Sequence, residues 1–253
     1  MIKKVFDKIS LLFRRRRNAK KLGIEFSRAS AWKMPSKILL NNKTIEMNLV
    51  EPLSGEMAFI DTLLDDTYGL AYFNSCLKNV KHIIDVGANQ GMFMLAARNV
   101  FPDAQIHSYE PNAELILSLE HQSKIAQSTF FVEAVGQVEG LVHLDNEPGN
   151  SLITKTVLDD SGTIKQVSIK KCIDRIGGNV DLLKLDCEGA EWEILKEPGA
   201  LTNVKAITLE YHLDDTHNHK SILQVLKDAN FKIVHYAIAG PTWGMAWAIN
   251  NLF

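Results

Sequence analysis

Ile83-Ile84-Asp85-Val86-Gly87-Ala88-Asn89-Gln90-Gly91 is the stretch that decides the fold. An apolar run stops at an acid, turns through two glycines and continues into the amphipathic segment Met92 to Val100. This pattern predicts the first strand, turn and helix of a nucleotide-binding α/β sheet. Glycine accepts positive φ cheaply and puts no Cβ in the way of a ligand, so Gly87 and Gly91 mark a turn shaped for close approach. Dinucleotide sites use G-x-G-x-x-G, whereas the spacing here is G-x-x-x-G after an aspartate.

The next predicted strand, Gln105 to Tyr109, ends in Glu110-Pro111-Asn112, where an acid can accept both ribose hydroxyls of a bound nucleoside. Glu110 alone fits either kind of cofactor. A later run, Asp181-Leu182-Leu183-Lys184-Leu185-Asp186-Cys187-Glu188-Gly189-Ala190-Glu191, separates them. Together with the glycine turn and Tyr109-Glu110-Pro111 it resembles the FkbM family of methyltransferases over roughly Ile83 to His212, about half the chain. The resemblance implies a class I methyltransferase sheet that binds S-adenosylmethionine and methylates a hydroxyl, typically of a sugar or a secondary metabolite. It assigns Gly87, Asn89 and Gly91 to the methionine side of the cofactor, Glu110 to its ribose, and Glu133 and Ala134 to adenine. Asp85, Ala88, Pro111 and Asn112 are further cofactor-binding candidates. Turn geometry alone is the alternative for the glycines, and a solvated strand end is the alternative for Glu110.

Around this centre the chain alternates as a doubly wound sheet does. Strands are predicted at Ile83 to Val86, Gln105 to Tyr109, Thr129 to Val135, Asp181 to Asp186, Ala206 to Tyr211 and Phe231 to Ile238, with helices between. Ala239-Gly240-Pro241-Thr242 then turns into a last strand, Met245 to Ile249, and so short a turn requires antiparallel pairing. Between Gly136 and Gly178 the alternation breaks into a β ribbon: Gly140 to Leu144, Ile153 to Leu158 and Thr163 to Lys170, then a short helix near Ile173 to Ile176. The polar loop Pro148-Gly149-Asn150-Ser151 in that ribbon is either a substrate contact or a plain turn.

The expected organisation is an arm over 1–21, a cap subdomain over 22–79 and the cofactor domain over 80–253. In the cap, Lys37 to Leu40 and Thr44 to Val50 read as a hairpin, followed by helices over Glu56 to Leu64 and Tyr68 to Leu77. Tyr68 is either a lid residue or an ordinary half-buried tyrosine. Of 28 Lys and Arg and 30 Asp and Glu, the arm holds nine basic residues and Asp7, leaving 19 against 29 in the body, a net charge of -10. Ile2, Val5, Phe6, Ile9, Leu12 and Phe13 fall at helical spacing before Arg14 to Arg17. This pattern suits a helix on an anionic membrane surface; packing on the body or on a second subunit, or disorder, is the alternative. Nucleic-acid binding is not expected, because aromatic platforms are lacking. Cys76, Cys172 and Cys187 are odd in number and far apart, and no apolar run reaches 18 residues, so a cytoplasmic protein is expected.

Methyl transfer to an alcohol needs an oriented oxygen and a proton acceptor. Leu182, Lys184 and Asp186 share one face of their strand by the two-residue period, and Glu210 and His212 share a face of the next. A lysine in so apolar a strand requires a partner, for which Asp186 and Glu188 are at hand. His212, with a pKa expected near neutrality, could serve as base or be a structural strand-end histidine. Alternatively Asp186, Glu210 and His212 could hold a divalent ion such as magnesium. Asp214, Asp215, His217 and His219 lie at irregular spacing and read as a solvated loop. An NAD-type oxidoreductase and a non-catalytic membrane scaffold are the rival readings.

Overall fold

The computed structural model describes residues 2–26, 33–145, 155–159 and 161–253. The chain begins with helix α1 (Ile2–Lys21), hairpin β1 (Lys37–Leu40) and β2 (Lys43–Glu46), and helices α2 (Pro52–Phe59) and α3 (Leu70–Cys76). It continues through β3 (His82–Val86), α4 (Met92–Val100), β4 (Gln105–Tyr109), α5 (Ile116–Ala126) and β5 (Thr129–Phe131). The inserted ribbon is β6 (Ala134–Gly136), β7 (Gly140–Asp145), β8 (Lys155–Leu158) and β9 (Ile164–Ser168), and α6 (Ile169–Arg175) follows. The remainder is β10 (Leu182–Leu185), α7 (Glu191–Leu195), α8 (Pro198–Leu201), β11 (Ala206–His212), α9 (Ser221–Asp228), β12 (Phe231–Ile238) and β13 (Trp243–Asn250).

Seven strands form one sheet in the order β12-β13-β11-β10-β3-β4-β5, in which β13 alone runs against its neighbours β11 and β12. This is the class I methyltransferase arrangement expected from the motifs and the closing hairpin. The two-residue period divides the apolar side chains between two layers. Ile83, Ile106 and Leu182 face α4, α5 and the cap. Ile84, Leu183, Leu185, Ile207 and Leu209 face α6, α7 and α9. The ribbon forms its own four-stranded sheet, β6-β9-β7-β8.

Several boundaries differ from expectation. The segment expected as one strand over 129–135 is two, because β5 pairs with β4 while Ala134–Gly136 leaves to pair with β9. The second strand of the cap hairpin stops at Glu46: the Met47 amide still reaches the Ser36 carbonyl, but beyond it Asn48 donates to Gln122 and Val50 to Gln90, side chains of the sheet domain. The helix expected from Glu56 begins at Pro52, a residue suited to the first helical position, and closes through a π-helical turn at Ile60–Leu64. The helix expected near Ile173 starts at Ile169, capped by the Ser168 hydroxyl. The loop 148–151 lies outside the described residues.

The C-terminal half of α1 packs on the body. Arg15 forms two 2.7 Å hydrogen bonds to Asp65, Asn18 donates to the Leu64 carbonyl at 2.8 Å, and Ala19 and Leu22 are buried. Farther along, α3 packs on Trp247 of β13, whose indole N–H donates to the Thr67 carbonyl at 3.0 Å.

Candidate active site

The glycine turn is held from behind. Gly87 and Ala88 both donate to the Tyr109 carbonyl, at 2.9 and 3.0 Å, and Gly87, Asn89 and Gly91 all have positive φ. A Cβ on Gly87 would stand 1.7 Å from the Asp186 carbonyl oxygen, and one on Gly91 would stand 3.0 Å from Cβ of Gln122. The glycines are therefore required by β3 meeting β10 and by α5, rather than by the space over the turn that the sequence suggested. Gln90 is fully buried and ties the cap down. Its carbonyl accepts from the Val50 and Glu51 amides at 2.9 and 3.1 Å, and its amide donates to the Glu51 carbonyl and Ser54 at 2.8 Å each.

Glu110 ends β4 with one oxygen on the Asn89 amide at 2.8 Å and the other on the Asn112 amide at 2.9 Å. These bonds fix the carboxylate at the cavity and leave each oxygen a lone pair for a further donor. Burial nevertheless raises its pKa to about 7, against the pull of the two amides. Asn112 turns its own side chain to the Glu114 amide.

Register explains the buried lysine. Asp85 and Lys184 are neighbours across β3 and β10, and Ser108 lies beside Asp85 on β4. Lys184 Nζ is 3.2 Å from Asp85 Oδ1 and 3.5 Å from Asp186 Oδ2, and donates to the Val86 and Gly87 carbonyls. Burial works against its charge, but the two carboxylates outweigh burial and hold its pKa above the ordinary value. Asp85 is thus the counter-ion of Lys184 beneath the turn, in a place the sequence assigned to cofactor contact, and Glu188 is not a partner of the lysine. Tyr68 covers this row. Its hydroxyl donates to Asp186 Oδ2 at 2.6 Å, and its ring centroid lies 5.3 Å from Lys184 Nζ.

At the ends of β10 and β11, His212 Nε2 is 3.3 Å from both Glu188 and Glu210, and Nδ1 is 3.7 Å from the fully buried Glu191. Glu191 also accepts the Cys187 and Gly189 amides, at 2.6 and 2.9 Å, and so fixes the loop in which Glu188 adopts φ +54°. Burial opposes the imidazolium, yet Glu191 and Glu210 raise its pKa to about 11. His212 is therefore a cation at neutral pH, not the near-neutral base its sequence position suggested. Burial raises Glu188 to about 8, with His212 pulling the other way.

A cavity of about 490 Å³ joins these parts, within the range of roughly 300–1,000 Å³ usual for small-molecule sites. Of the predicted residues, Gly87, Ala88, Asn89, Glu110, Pro111, Glu133, Ala134, Lys184, Asp186, Glu188, Glu210 and His212 line it. Asp85, Gly91 and Asn112 lie behind its wall. Glu133 is held by Arg175 and Lys165, which lower its pKa against burial. Sequence reasoning missed Asp61 and Arg175, which carry no motif spacing, and gave no role to Gln90 and Glu191 although both lie inside the quoted motifs. Asp61 opens to the cavity although protein crowds it, and that crowding, with Asp65, raises its carboxyl to about 6. The Asp214 loop is structural: Asp214 accepts the Thr216 and His217 amides, and His217 stacks on Trp192 with centroids 4.0 Å apart.

Six acids line the cavity against Lys184 and His212, a balance that suits a cofactor bearing a sulfonium and an ammonium group. With the two free lone pairs of Glu110, the residues present fit S-adenosylmethionine. Among the described residues, Asp186, Glu188 and His212 place one ligand atom each within 4.8 Å of one another. Glu188 thus takes the place in that set expected of Glu210.

A family profile described as the methyltransferase FkbM domain matches residues 85–233. No curated protein sequence matches the chain significantly. Among solved structures, an O-methyltransferase family protein from Burkholderia thailandensis is similar with a TM-score of 0.49 and 12% identity, over 79% of this chain and 58% of that one. A precorrin-6y C5,15-methyltransferase from Geobacter metallireducens GS-15 gives 0.47 and 14%, over 74% and 89%. A SAM dependent methyltransferase from Aquifex aeolicus gives 0.45 and 12%, over 80% and 99%. The profile match leaves the oxidoreductase alternative without support.

Proposed function

The chain belongs to the FkbM family of S-adenosylmethionine-dependent methyltransferases, and from that premise we propose that it methylates a hydroxyl oxygen of a polyhydroxylated acceptor such as a sugar. The observation that carries this reading is the convergence of Asp186, Glu188, Glu210 and His212 on the cavity that also holds the glycine turn and Glu110. The bound cofactor supplies an electrophilic methyl group and a neutral leaving group. An alcohol attacks well only when its proton has an acceptor in place.

Glu188 is that acceptor in this proposal. A carboxylate with a pKa of about 8 is matched to proton transfer near neutral pH. His212, held as a cation, orients Glu188 and Glu210 from 3.3 Å and offsets their charge. Asp186, fixed by Tyr68, and Glu210 offer acceptor oxygens to neighbouring hydroxyls, the recognition that a sugar ring invites.

The test is transfer of labelled methyl from S-adenosylmethionine to panels of hydroxyl, amine and carbon acceptors, with wild type and Glu188→Gln. Transfer to hydroxyls, with kcat lowered about 10²–10⁴-fold in the variant and cofactor affinity retained, is expected. Transfer to amines or carbon alone refutes the proposal. The clustering of Asp186, Glu188 and His212 favours one second reading, in which they hold a divalent ion that acidifies the hydroxyl. Activity abolished by chelation and restored by magnesium or manganese would select it.

A further inference from the structure

We propose that the outward face of α1 docks on an anionic lipid bilayer. Arg15, Asn18, Ala19 and Leu22 fix the helix to the body. At about 100° per residue these four share the inward face. The same spacing places Ile9, Phe13, Arg17 and Lys20 opposite, flanked by Leu12, Arg16 and Lys21. Ile9, Leu12 and Phe13 are 45%, 40% and 67% exposed, an unusual display on a helix otherwise seated on a core.

Two observations name the occupant. The exposed face is apolar in its earlier turns and basic in the next, with no acid between Ile9 and Lys21, so it complements a surface that is apolar inside and negatively charged at its headgroups. The rest of the chain carries a net charge of -10, so the net attraction to an anionic bilayer comes from this basic arm and not from the body as a whole. Apolar side chains interleaved at helical spacing favour lipid over nucleic acid, for which basic residues alone would serve.

Docking reaches the cavity through the contacts of Arg15 with Asp65 and of Asn18 with the Leu64 carbonyl. Arg15 grips Asp65, which directly follows the π-helical turn carrying Asp61 and Thr62, both on the cavity wall. The cavity is therefore held at a set distance from the bilayer. An acceptor carried on lipid would be presented to it, a consequence that rests on the acceptor reading above.

The experiment is co-sedimentation of the full chain, without cofactor or acceptor, with vesicles of phosphatidylcholine alone or mixed with phosphatidylglycerol. Wild type, Ile9→Asp/Phe13→Asp and Arg17→Glu/Lys20→Glu are compared, with melting temperatures confirming that the variants are folded. Binding to the mixed vesicles only, weakened roughly tenfold or more in either double variant, is expected. Equal sedimentation of wild type and variants, or none, overturns the proposal. So does a dimer that Phe13→Asp disperses, which assigns the face to a second copy, or binding of duplex RNA in place of the vesicles. Because no turnover is measured, failure here leaves the methyltransferase reading untouched.

Discussion

Replacing Glu110 with glutamine tests the electrostatics of the cavity. The carboxyl is 7% exposed, and its pKa rises from an ordinary 4.5 to about 7 on folding. The folded protein thus holds this proton more tightly than the unfolded chain. Below pH 4.5 both states are protonated and the group is neutral to stability. As pH rises from 4.5 to 7 the unfolded chain ionises first, and the cofactor-free protein loses about 3 kcal/mol at roughly 1.4 kcal/mol for each pH unit. Above pH 7 both are ionised and the loss is complete. Glutamine removes the titration but also one of the two acceptors for the Asn89 and Asn112 amides, a constant cost of about 1–3 kcal/mol. The difference in unfolding free energy, wild type minus Glu110→Gln, should therefore fall by about 3 kcal/mol between pH 4.5 and 8. Urea denaturation across that range measures it. Cofactor affinity in wild type should tighten over the same range, as the ionised form that accepts the ribose hydroxyls becomes available. A pH-independent stability difference, or one that grows with pH, refutes the reasoning.

Gly87→Ala should fail to give a soluble native protein, or melt far below wild type, because its Cβ would overlap the Asp186 carbonyl and φ is +78°; circular dichroism melting decides. Lys184→Met strands Asp85 without its counter-ion and should cost about 3–5 kcal/mol in chemical denaturation. The loss should shrink at acid pH, where Asp85 can take up a proton. Gln90→Ala removes the acceptor shared by the Val50 and Glu51 amides and leaves Val50 its bond to the Ser118 hydroxyl, so limited proteolysis followed by mass spectrometry should show faster cutting in 47–56 while the sheet domain survives.

Local pattern carried the sheet: the apolar run before Gly87, the acid after Tyr109 and the short turn before β13 each act through neighbouring residues. What escaped it depends on partners distant in the chain. Asp85 meets Lys184 only through the β3–β10 register, and Glu133 meets Arg175 42 residues later. The raised pKa of His212 depends first on Glu191, which two captured amides hold in place, and then on Glu210, with Glu188 brought beside it by its left-handed loop conformation. Gln90 sits inside the most recognisable motif, yet its bonds go to the cap, where no repeat spacing announces them. The reason for Gly87 also differs from the one its motif suggests, since the atom that excludes a side chain belongs to the opposite strand.

Trp247 ties the cap to the last strand of the sheet. Its ring packs against Gly69 and Phe73 of the cap, and its strand fills the gap between β11 and β12. A nascent chain that has emerged only as far as β12 lacks both the wedge of the sheet and the anchor of α3. The roof carrying Tyr68 therefore gains its anchor on β13 only after that strand has paired, so closure of the chamber over Asp186 is coupled to completion of the sheet.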